Sequence, residues 1–240
     1  MRKISGGSFI FVIFLIIMVF NSFQSGRFDN PAQWLYETLL RLPAIVIGLT
    51  FHEFMHAFSA WKLGDMTPKV QGRVTLNPLS HIDPVGIIVL VFVGFGWGRP
   101  VQVNPYAFTK NRRRSNFIVD IAGVGMNFVI AFIFTAIYLL AVYKWGYDPN
   151  STPGLILVNI VQINFILIVF NLLPIPPLDG FGIVTEIFDL RRFEWYRPLY
   201  NNGFFILLAL IIFGLLSYIL IPALNFLFGF SQSVWISILY

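Results

Sequence analysis

The apolar residues of this 240-residue chain are gathered into long runs that are separated by short polar stretches. About 20 consecutive apolar residues suffice for a helix to cross the hydrocarbon core of a bilayer. Five runs are therefore predicted to form full transmembrane helices, and they occupy residues 8–23, 42–63, 117–142, 155–173 and part of 204–240. The pattern predicts an all-α polytopic membrane protein.

A sixth apolar run, residues 85–97, is too short for a comfortable span and is interrupted by glycines. The distribution of basic residues indicates whether this run crosses the membrane, because Lys and Arg accumulate on the cytoplasmic side of membrane proteins. If the run enters the membrane and returns, all of the 16 Lys and Arg residues except Arg27, Arg41 and Lys144 fall on the side of the N-terminus. We therefore expect a re-entrant segment, a cytoplasmic N-terminus and a C-terminus outside the cytoplasm.

Residues 67–77 alternate between polar and apolar side chains and contain Gly72 near their centre. This pattern is typical of a small β-hairpin, and a plain connector fits the same residues equally well. A hairpin next to an active site would offer its edge to an extended peptide.

Composition excludes an ordinary soluble domain, because 57% of the residues are hydrophobic and 11% are charged, against about 25% charged residues in soluble proteins. The chain contains no cysteine, so a metal site has to use His and carboxylate side chains. The net charge of +5 does not indicate a nucleic-acid partner, because the basic residues lie in short loops where membrane orientation explains them. No domain boundary is visible, and residues 1–240 are interpreted as one membrane-embedded domain.

The candidate chemistry begins with His52, Glu53 and His56, which form the pattern His-Glu-x-x-His inside an otherwise apolar run. On a helix, side chains four residues apart share one face, so both imidazoles can bind one metal ion. Glu53 is turned about 100° away and can reach a water on that metal. Ionisable residues inside a span are costly unless they serve a polar site. The motif is typical of a zinc hydrolase.

A third ligand is available where the fourth predicted span ends. Residues 171–180 read Asn-Leu-Leu-Pro-Ile-Pro-Pro-Leu-Asp-Gly, and the three prolines interrupt the helix there. Taken alone, Asp179 in this stretch would be interpreted as the cap of the next helix. Catalytic zinc uses three protein ligands and one water, so the presence of His52 and His56 favours the interpretation of Asp179 as a metal ligand.

Both motifs resemble those of the site-2 protease family of intramembrane zinc metalloproteases. Residues 52–57 are similar to the first motif of the family, and residues 171–180 are similar to its Asn-x-x-Pro-x-Pro-x-Leu-Asp-Gly motif. Further segments resemble the compact prokaryotic branch without regulatory domains, namely residues 63–65, 72–79, 81–86 and 100–105. The resemblance extends over residues 50–189, the expected catalytic core, while residues 1–41 and 204–240 are expected to form accessory spans.

The resemblance implies one zinc ion per chain, and its ligands would be His52, His56 and Asp179. Glu53 would activate the water, while Asn171 and Asn127 would support the substrate or its oxyanion. Two departures from the family pattern, Val124 in place of a proline and Phe181 in place of a second glycine, touch no ligand and predict altered packing or substrate preference. A hydrogen-bond acceptor is expected on the free nitrogen of each ligating histidine.

The resemblance implies an enzyme, a zinc metalloendopeptidase that hydrolyses peptide bonds within or next to transmembrane helices in regulated intramembrane proteolysis. The expected partners are a transmembrane protein or peptide substrate and the lipid bilayer, and the expected location is the cell membrane of a prokaryote. An ion transporter and a non-catalytic metal-binding protein are the alternatives. A transporter would show several ligand-bearing spans or an internal repeat, and Glu53 argues against a purely structural metal site. The third histidine, His81, is interpreted as an ordinary loop residue.

Overall fold

The computed structural model describes residues 6–93 and 96–239, except for the side chains of residues 6–10 and 93. The described chain is built from nine α-helices, which are α1 (Gly6–Gln24), α2 (Pro31–Lys62), α3 (Thr67–Val70), α4 (Pro84–Val93), α5 (Arg112–Leu139), α6 (Thr152–Asn171), α7 (Asp179–Phe188), α8 (Tyr196–Ile212) and α9 (Ser217–Leu239). A π-helical turn, Leu140–Lys144, extends α5. Short 3-10 turns lie at Pro78–Ser80, Pro105–Ala107 and Leu190–Arg192. The described residues contain no strand, only an isolated bridge between Ile82 and Gly98.

Four of the described helices are long and apolar enough to cross a membrane, and they are α2, α5 with its extension, α6 and α9. The chain is therefore a multi-pass membrane protein. The first predicted span corresponds to a shorter apolar helix, Phe11–Gln24, so the count of five spans stays a prediction. The last predicted span divides into α8 and α9, which are separated near Gly214, where the backbone adopts a left-handed φ of 66°.

Helix α2 begins at Pro31, well before the span predicted at residues 42–63. The side chain of Asn30 accepts a hydrogen bond from the Gln33 amide at 3.1 Å, and Pro31 occupies the first turn, where its missing N–H is tolerated. The Asn30 cap and Pro31 start the helix among residues that are too polar to be assigned to a transmembrane span by hydropathy. Pro43, near the start of the predicted span, lies inside the helix.

The β-hairpin predicted for residues 67–77 is not present. Its first residues form the short helix α3, because Asp65 Oδ1 accepts the Thr67 amide at 2.9 Å and Pro68 favours a first helical turn. Gly72 adopts a left-handed φ of 69° and ends this helix instead of bending a hairpin. The residues that follow form bends and turns without strand pairing.

The two ends of the predicted re-entrant segment lie next to each other in the structure. This segment contains the ten-residue helix α4, and its residues 94–95 lie outside the described residues. Ile82 and Gly98 form an antiparallel bridge, and the Arg99 amide donates to the His81 carbonyl at 2.7 Å. A ten-residue helix is about 15 Å long and cannot cross a hydrocarbon core of about 30 Å. This geometry fits a re-entrant segment, and its depth in a bilayer stays a prediction.

Helices α2, α5 and α6 pack against one another in the centre of the molecule. Ala44 from α2, Ile130 from α5 and Ile160 from α6 are buried together there. Helix α9 packs on α5 and α6, and the ring of Phe228 contacts that of Phe165 with centroids 5.1 Å apart. Helix α7 packs against α5, which brings the N-terminal end of α7 to the site described next.

Candidate metal centre

His52 and His56 lie one turn apart on α2, and only 4% and 8% of these residues are exposed. Their Nε2 atoms are 3.0 Å apart. Asp179, the first residue of α7, places its Oδ2 atom 3.2 Å from His52 Nε2 and 3.3 Å from His56 Nε2. The structure thus brings together the three predicted ligands, with their ligand atoms all within 4.8 Å of one another.

Hydrogen bonds on the far side of the two rings determine which nitrogen carries the hydrogen. His56 Nδ1 lies 2.8 Å from the backbone oxygen of Val119, which can only accept, so Nδ1 donates. His52 Nδ1 lies 2.6 Å from Asn127 Oδ1, which also accepts. Each neutral ring therefore has a hydrogen on Nδ1 and a lone pair on Nε2. These two oxygens are the acceptors that the sequence predicted without identifying them.

Asn127 is fixed in this orientation by its other contacts. Its amide nitrogen donates to the Gly48 carbonyl at 3.1 Å and to Asn164 Oδ1 at 2.8 Å, which leaves its oxygen for His52. Asn164 donates in turn to the Ile160 carbonyl at 2.8 Å. These contacts join α2, α5 and α6, so the packing of the three helices orients the imidazole.

Three electron-pair donors therefore converge at this point, the Nε2 atoms of His52 and His56 and the Oδ2 atom of Asp179. Asp179 Oδ2 is buried and makes no hydrogen bond within the described part of the chain. Electron-rich atoms at this distance repel one another unless a cation lies between them. Two imidazoles and a carboxylate are a usual ligand set for catalytic zinc, with a fourth position for water. The residues fit one divalent metal ion.

Helix α5 lies directly against the imidazoles at Gly123. A Cβ atom at this position would lie 2.5 Å from His56 Nε2 and 2.7 Å from His52 Cε1, so a side chain cannot be accommodated. Glycine here lets α5 approach α2 closely enough for Val119 and Asn127 to reach the two rings.

Comparison with known proteins identifies the family. The chain is 40% identical over 200 residues to the Bacillus subtilis protein named "Putative zinc metalloprotease YwhC", with 80% of this chain and 91% of that protein covered. It is 31% identical over 205 residues to "Putative zinc metalloprotease Rip2" of Mycolicibacterium smegmatis, with 82% and 72% covered. The chain belongs to this family of zinc metalloproteases. No protein-family profile and no solved structure matches it.

In this metalloprotease, Glu53 lies on α2 beside the ligands, with 13% of its side chain exposed. Its Oε2 atom accepts a hydrogen bond from the Val101 amide at 3.0 Å, and the guanidinium of Arg73 lies 3.9 Å from the same atom. Arg73 is buried and donates to the carbonyls of Pro100, at 3.2 Å, and of Arg99. Arg73 therefore holds the chain segment that donates to Glu53, an arrangement that no local sequence pattern predicts.

The two asparagines predicted to support the substrate are placed differently in the metalloprotease. Asn171 Nδ2 donates to the Leu167 carbonyl within α6 at 2.9 Å and makes no hydrogen bond to the ligands among the described residues, so its role stays a prediction. Asn127 is completely buried, and both of its polar side-chain atoms bond to protein groups. Its contacts assign Asn127 to the orientation of His52 and leave no atom free for a substrate.

His81 lies outside the metal cluster and is completely buried in the loop that precedes α4. Its Nε2 atom donates to the Thr75 carbonyl at 2.8 Å. Burial lowers the pKa of His81, and the nearby charge of Arg73 lowers it further, so the ring is neutral at pH 7. His81 closes the turn formed by residues 75–81, which agrees with its interpretation as a loop residue.

Proposed function

We propose that this chain is an intramembrane zinc metalloprotease of the site-2 type, which hydrolyses peptide bonds within or next to the transmembrane helices of membrane proteins. The observation that carries the proposal is the convergence of Asp179, at the start of α7, on His52 and His56, which lie on a helix long and apolar enough to cross a membrane. Ionisable side chains at such a position indicate a functional site. Membership of the zinc metalloprotease family supports peptide hydrolysis as the reaction.

One zinc ion would be held by the Nε2 atoms of the two histidines and by Asp179 Oδ2. When bound, zinc supplies a Lewis acid that lowers the pKa of a bound water toward about 7 and polarises the scissile carbonyl. Val119 and Asn127 keep both rings in the tautomer that presents a lone pair to the ion, so the ligands are oriented in advance.

Glu53 is the proposed general base. Its carboxylate takes a proton from the attacking water and returns the proton to the amine that leaves. The hydrogen bond from the Val101 amide to Oε2 orients this carboxylate and leaves Oε1 available for the proton. The guanidinium of Arg73 forms an ion pair with the same carboxylate at 3.9 Å and helps to hold it in place.

A substrate helix has to unwind before one of its peptide bonds can reach the metal, because its backbone groups are otherwise hydrogen-bonded to one another. The segment that returns from the predicted re-entrant region, residues 96–104, contains no helix and lies against Glu53. We propose that this region holds the unwound substrate, since the hairpin expected at residues 67–77 is absent.

The proposed location is the cell membrane of a prokaryote, with the N-terminus in the cytoplasm. The substrate is a membrane protein that is cleaved in regulated intramembrane proteolysis. The multi-pass character of the chain supports the location, and the distribution of Lys and Arg residues supports the orientation.

The variant Glu53→Gln tests the proposal, because it keeps the size of the side chain and removes the base. Zinc content and cleavage of a single-span test substrate are measured on the purified wild type, on Glu53→Gln and on Glu37→Gln. Glu37 is the matched control, since it lies on an exposed face of α2 and pairs with Arg41. We expect close to one zinc in all three proteins and a loss of cleavage by about 100-fold or more in Glu53→Gln alone.

Equal cleavage by Glu53→Gln and wild type would contradict the role of Glu53. Zinc in all three proteins without cleavage by any of them would contradict the protease proposal and favour an ion transporter or a non-catalytic metal-binding protein. A wild-type protein that binds no zinc would remove the metal site from the proposal.

A further inference from the structure

A cavity of about 390 Å³ opens beside the metal site, between α5, α7 and the start of α8. Asp179 lines it, so the cavity adjoins the ligand cluster directly. The other lining residues that matter here are Asp120, Phe181, Tyr196 and Tyr200. The volume is at the lower end of the range for ligand sites, large enough for one long side chain.

Asp120 contributes an unpaired carboxylate to this cavity. Its Oδ2 atom lies against Gly182, where a Cβ atom would come within 2.3 Å of it. Asp120 makes no hydrogen bond and no ion pair with the residues that the structure describes. Removing a carboxylate from water without giving it a partner is unfavourable. A cation that enters the cavity would give this group a favourable partner.

The other charged side chains around the cavity are already paired. Arg191 donates to both carboxylate oxygens of Glu186, at 3.0 and 2.6 Å, and Asn116 donates to the same carboxylate at 2.8 Å. Asp179 belongs to the metal ligands. Among the acidic residues that line the cavity and that the structure describes, Asp120 is therefore the one whose carboxyl group has no hydrogen bond or ion pair within 4 Å.

Aromatic rings provide a second recognition element on the cavity wall. Phe181 stacks on Tyr196 with ring centroids 5.6 Å apart, and Tyr196 stacks on Tyr200 at 5.9 Å. Aromatic rings attract cations and also contact the methylene groups of long basic side chains. A carboxylate next to aromatic rings favours Lys or Arg over a neutral or an acidic side chain.

We propose that this cavity is the subsite for a basic side chain, Lys or Arg, close to the scissile bond of the substrate. The proposal rests on the proteolytic function proposed above. Asp120 lies near the N-terminal end of α5, whose first three residues, 112–114, are arginines. The distribution of Lys and Arg assigns this end of the helix to the cytoplasmic side. Membrane proteins carry Lys and Arg at the same boundary, so a substrate that is cut there presents such side chains to the cavity.

Cleavage of single-span substrates with Lys, Arg, Met or Glu at each position around the cut tests the subsite. We expect one position at which Lys or Arg raises kcat/KM about tenfold over Met, with Glu lowest. Asp120→Asn keeps the shape and removes the charge, so it should bring the ratio of Lys to Met toward one. Asp148→Asn changes an exposed aspartate in the loop after α5 and should keep the wild-type ratio.

A flat preference at every position in the wild type, or an unchanged ratio in Asp120→Asn, would overturn the proposal. Loss of zinc from Asp120→Asn would overturn it too, because Asp120 would then serve the metal site.

Binding measurements separate this proposal from the proteolytic function. The affinities of fluorescent Lys and Met substrates for the Glu53→Gln protein are measured by anisotropy, which requires no cleavage. Binding of the Lys substrate about tenfold more tightly, with the difference lost when Asp120→Asn is added, would support the subsite even if no substrate is cut. Equal affinities would overturn it, whatever the cleavage assay shows.

Discussion

Asn127 controls which nitrogen of His52 faces the candidate metal site. Its oxygen accepts from His52 Nδ1, and its amide nitrogen donates to Gly48 and Asn164. A leucine in its place would have similar size and no polar atom, so the Nδ1–H group of His52 and the Oδ1 atom of Asn164 would lose their hydrogen-bond partner inside the protein. The ring would then be free to turn or to carry its hydrogen on Nε2, where it cannot bind a metal.

We expect Asn127→Leu to weaken zinc binding about 10- to 100-fold, the usual effect of removing the hydrogen-bond partner of a metal-binding histidine. Competition with a chelator measures the dissociation constant. Asn159→Leu is the matched control, because Asn159 is a half-buried asparagine of α6 that donates to Leu155 within its own helix. The same zinc affinity in Asn127→Leu and wild type would show that the histidine needs no such partner.

The cluster of His52, His56 and Asp179 could be predicted from the sequence, and the groups that orient its side chains could not. His52 and His56 are recognisable because a spacing of four places them on one helix face, and Asp179 because it follows a proline-rich helix break. Val119 and Asn127 lie 63 and 75 residues away from the histidines that they contact. Only the packing of α5 against α2 creates these contacts, so the sequence predicted acceptors without their identity.

At the level of helices, α7 carries Asp179 at one end and is anchored at the other. It has ten residues, which is too short for a helix to be stable by itself. Arg113 of α5 donates to the carbonyls of Glu186 and Ile187, and Arg191 makes two hydrogen bonds with the Glu186 carboxylate. Because these contacts fix the far end of the helix, they also determine where Asp179 lies.

We expect Glu186→Ala to destabilise the protein by about 2 kcal/mol, because Arg191 and Asn116 lose their charged hydrogen-bond acceptor. Glu37→Ala is the comparison, since Glu37 and Arg41 form an exposed pair on one helix and its loss should cost about 0.5 kcal/mol. Unfolding free energies in detergent measure both values. Equal destabilisation by the two variants would contradict an anchoring role of Glu186.

Hydropathy predicts the long helices, because a span has to present about 20 apolar residues to lipid. It does not predict where α2 starts or that α3 exists, since both depend on hydrogen bonds from single polar side chains, Asn30 and Asp65. Alternation in residues 67–77 suggested strands, but the Asp65 contact and Pro68 favour a helical turn there. Capping contacts thus decide the structure where the sequence is polar.

For the whole molecule, contacts between loops show how the chain passes from α2 to α5. The Thr109 amide donates to the Leu63 carbonyl at 3.1 Å, and the Asn104 amide donates to the buried carboxylate of Asp65 at 2.7 Å. The end of α2 and the residues before α5 therefore lie side by side. A full crossing by residues 85–97 would place them on opposite faces of a membrane, so these bonds favour a segment that returns.

The absence of cysteine allows this topology to be tested with single thiols. Thr109→Cys and Asn150→Cys place exposed thiols at opposite ends of the helix formed by α5 and its extension. We expect an impermeant maleimide to label Thr109→Cys from the cytoplasmic side and Asn150→Cys from the outside, because this helix crosses the membrane between them. Labelling of Thr109→Cys from the outside alone would contradict the predicted orientation. The arginines of residues 112–114 would then lie outside the cytoplasm, contrary to the preference of Lys and Arg for the cytoplasmic side from which the cytoplasmic N-terminus was predicted.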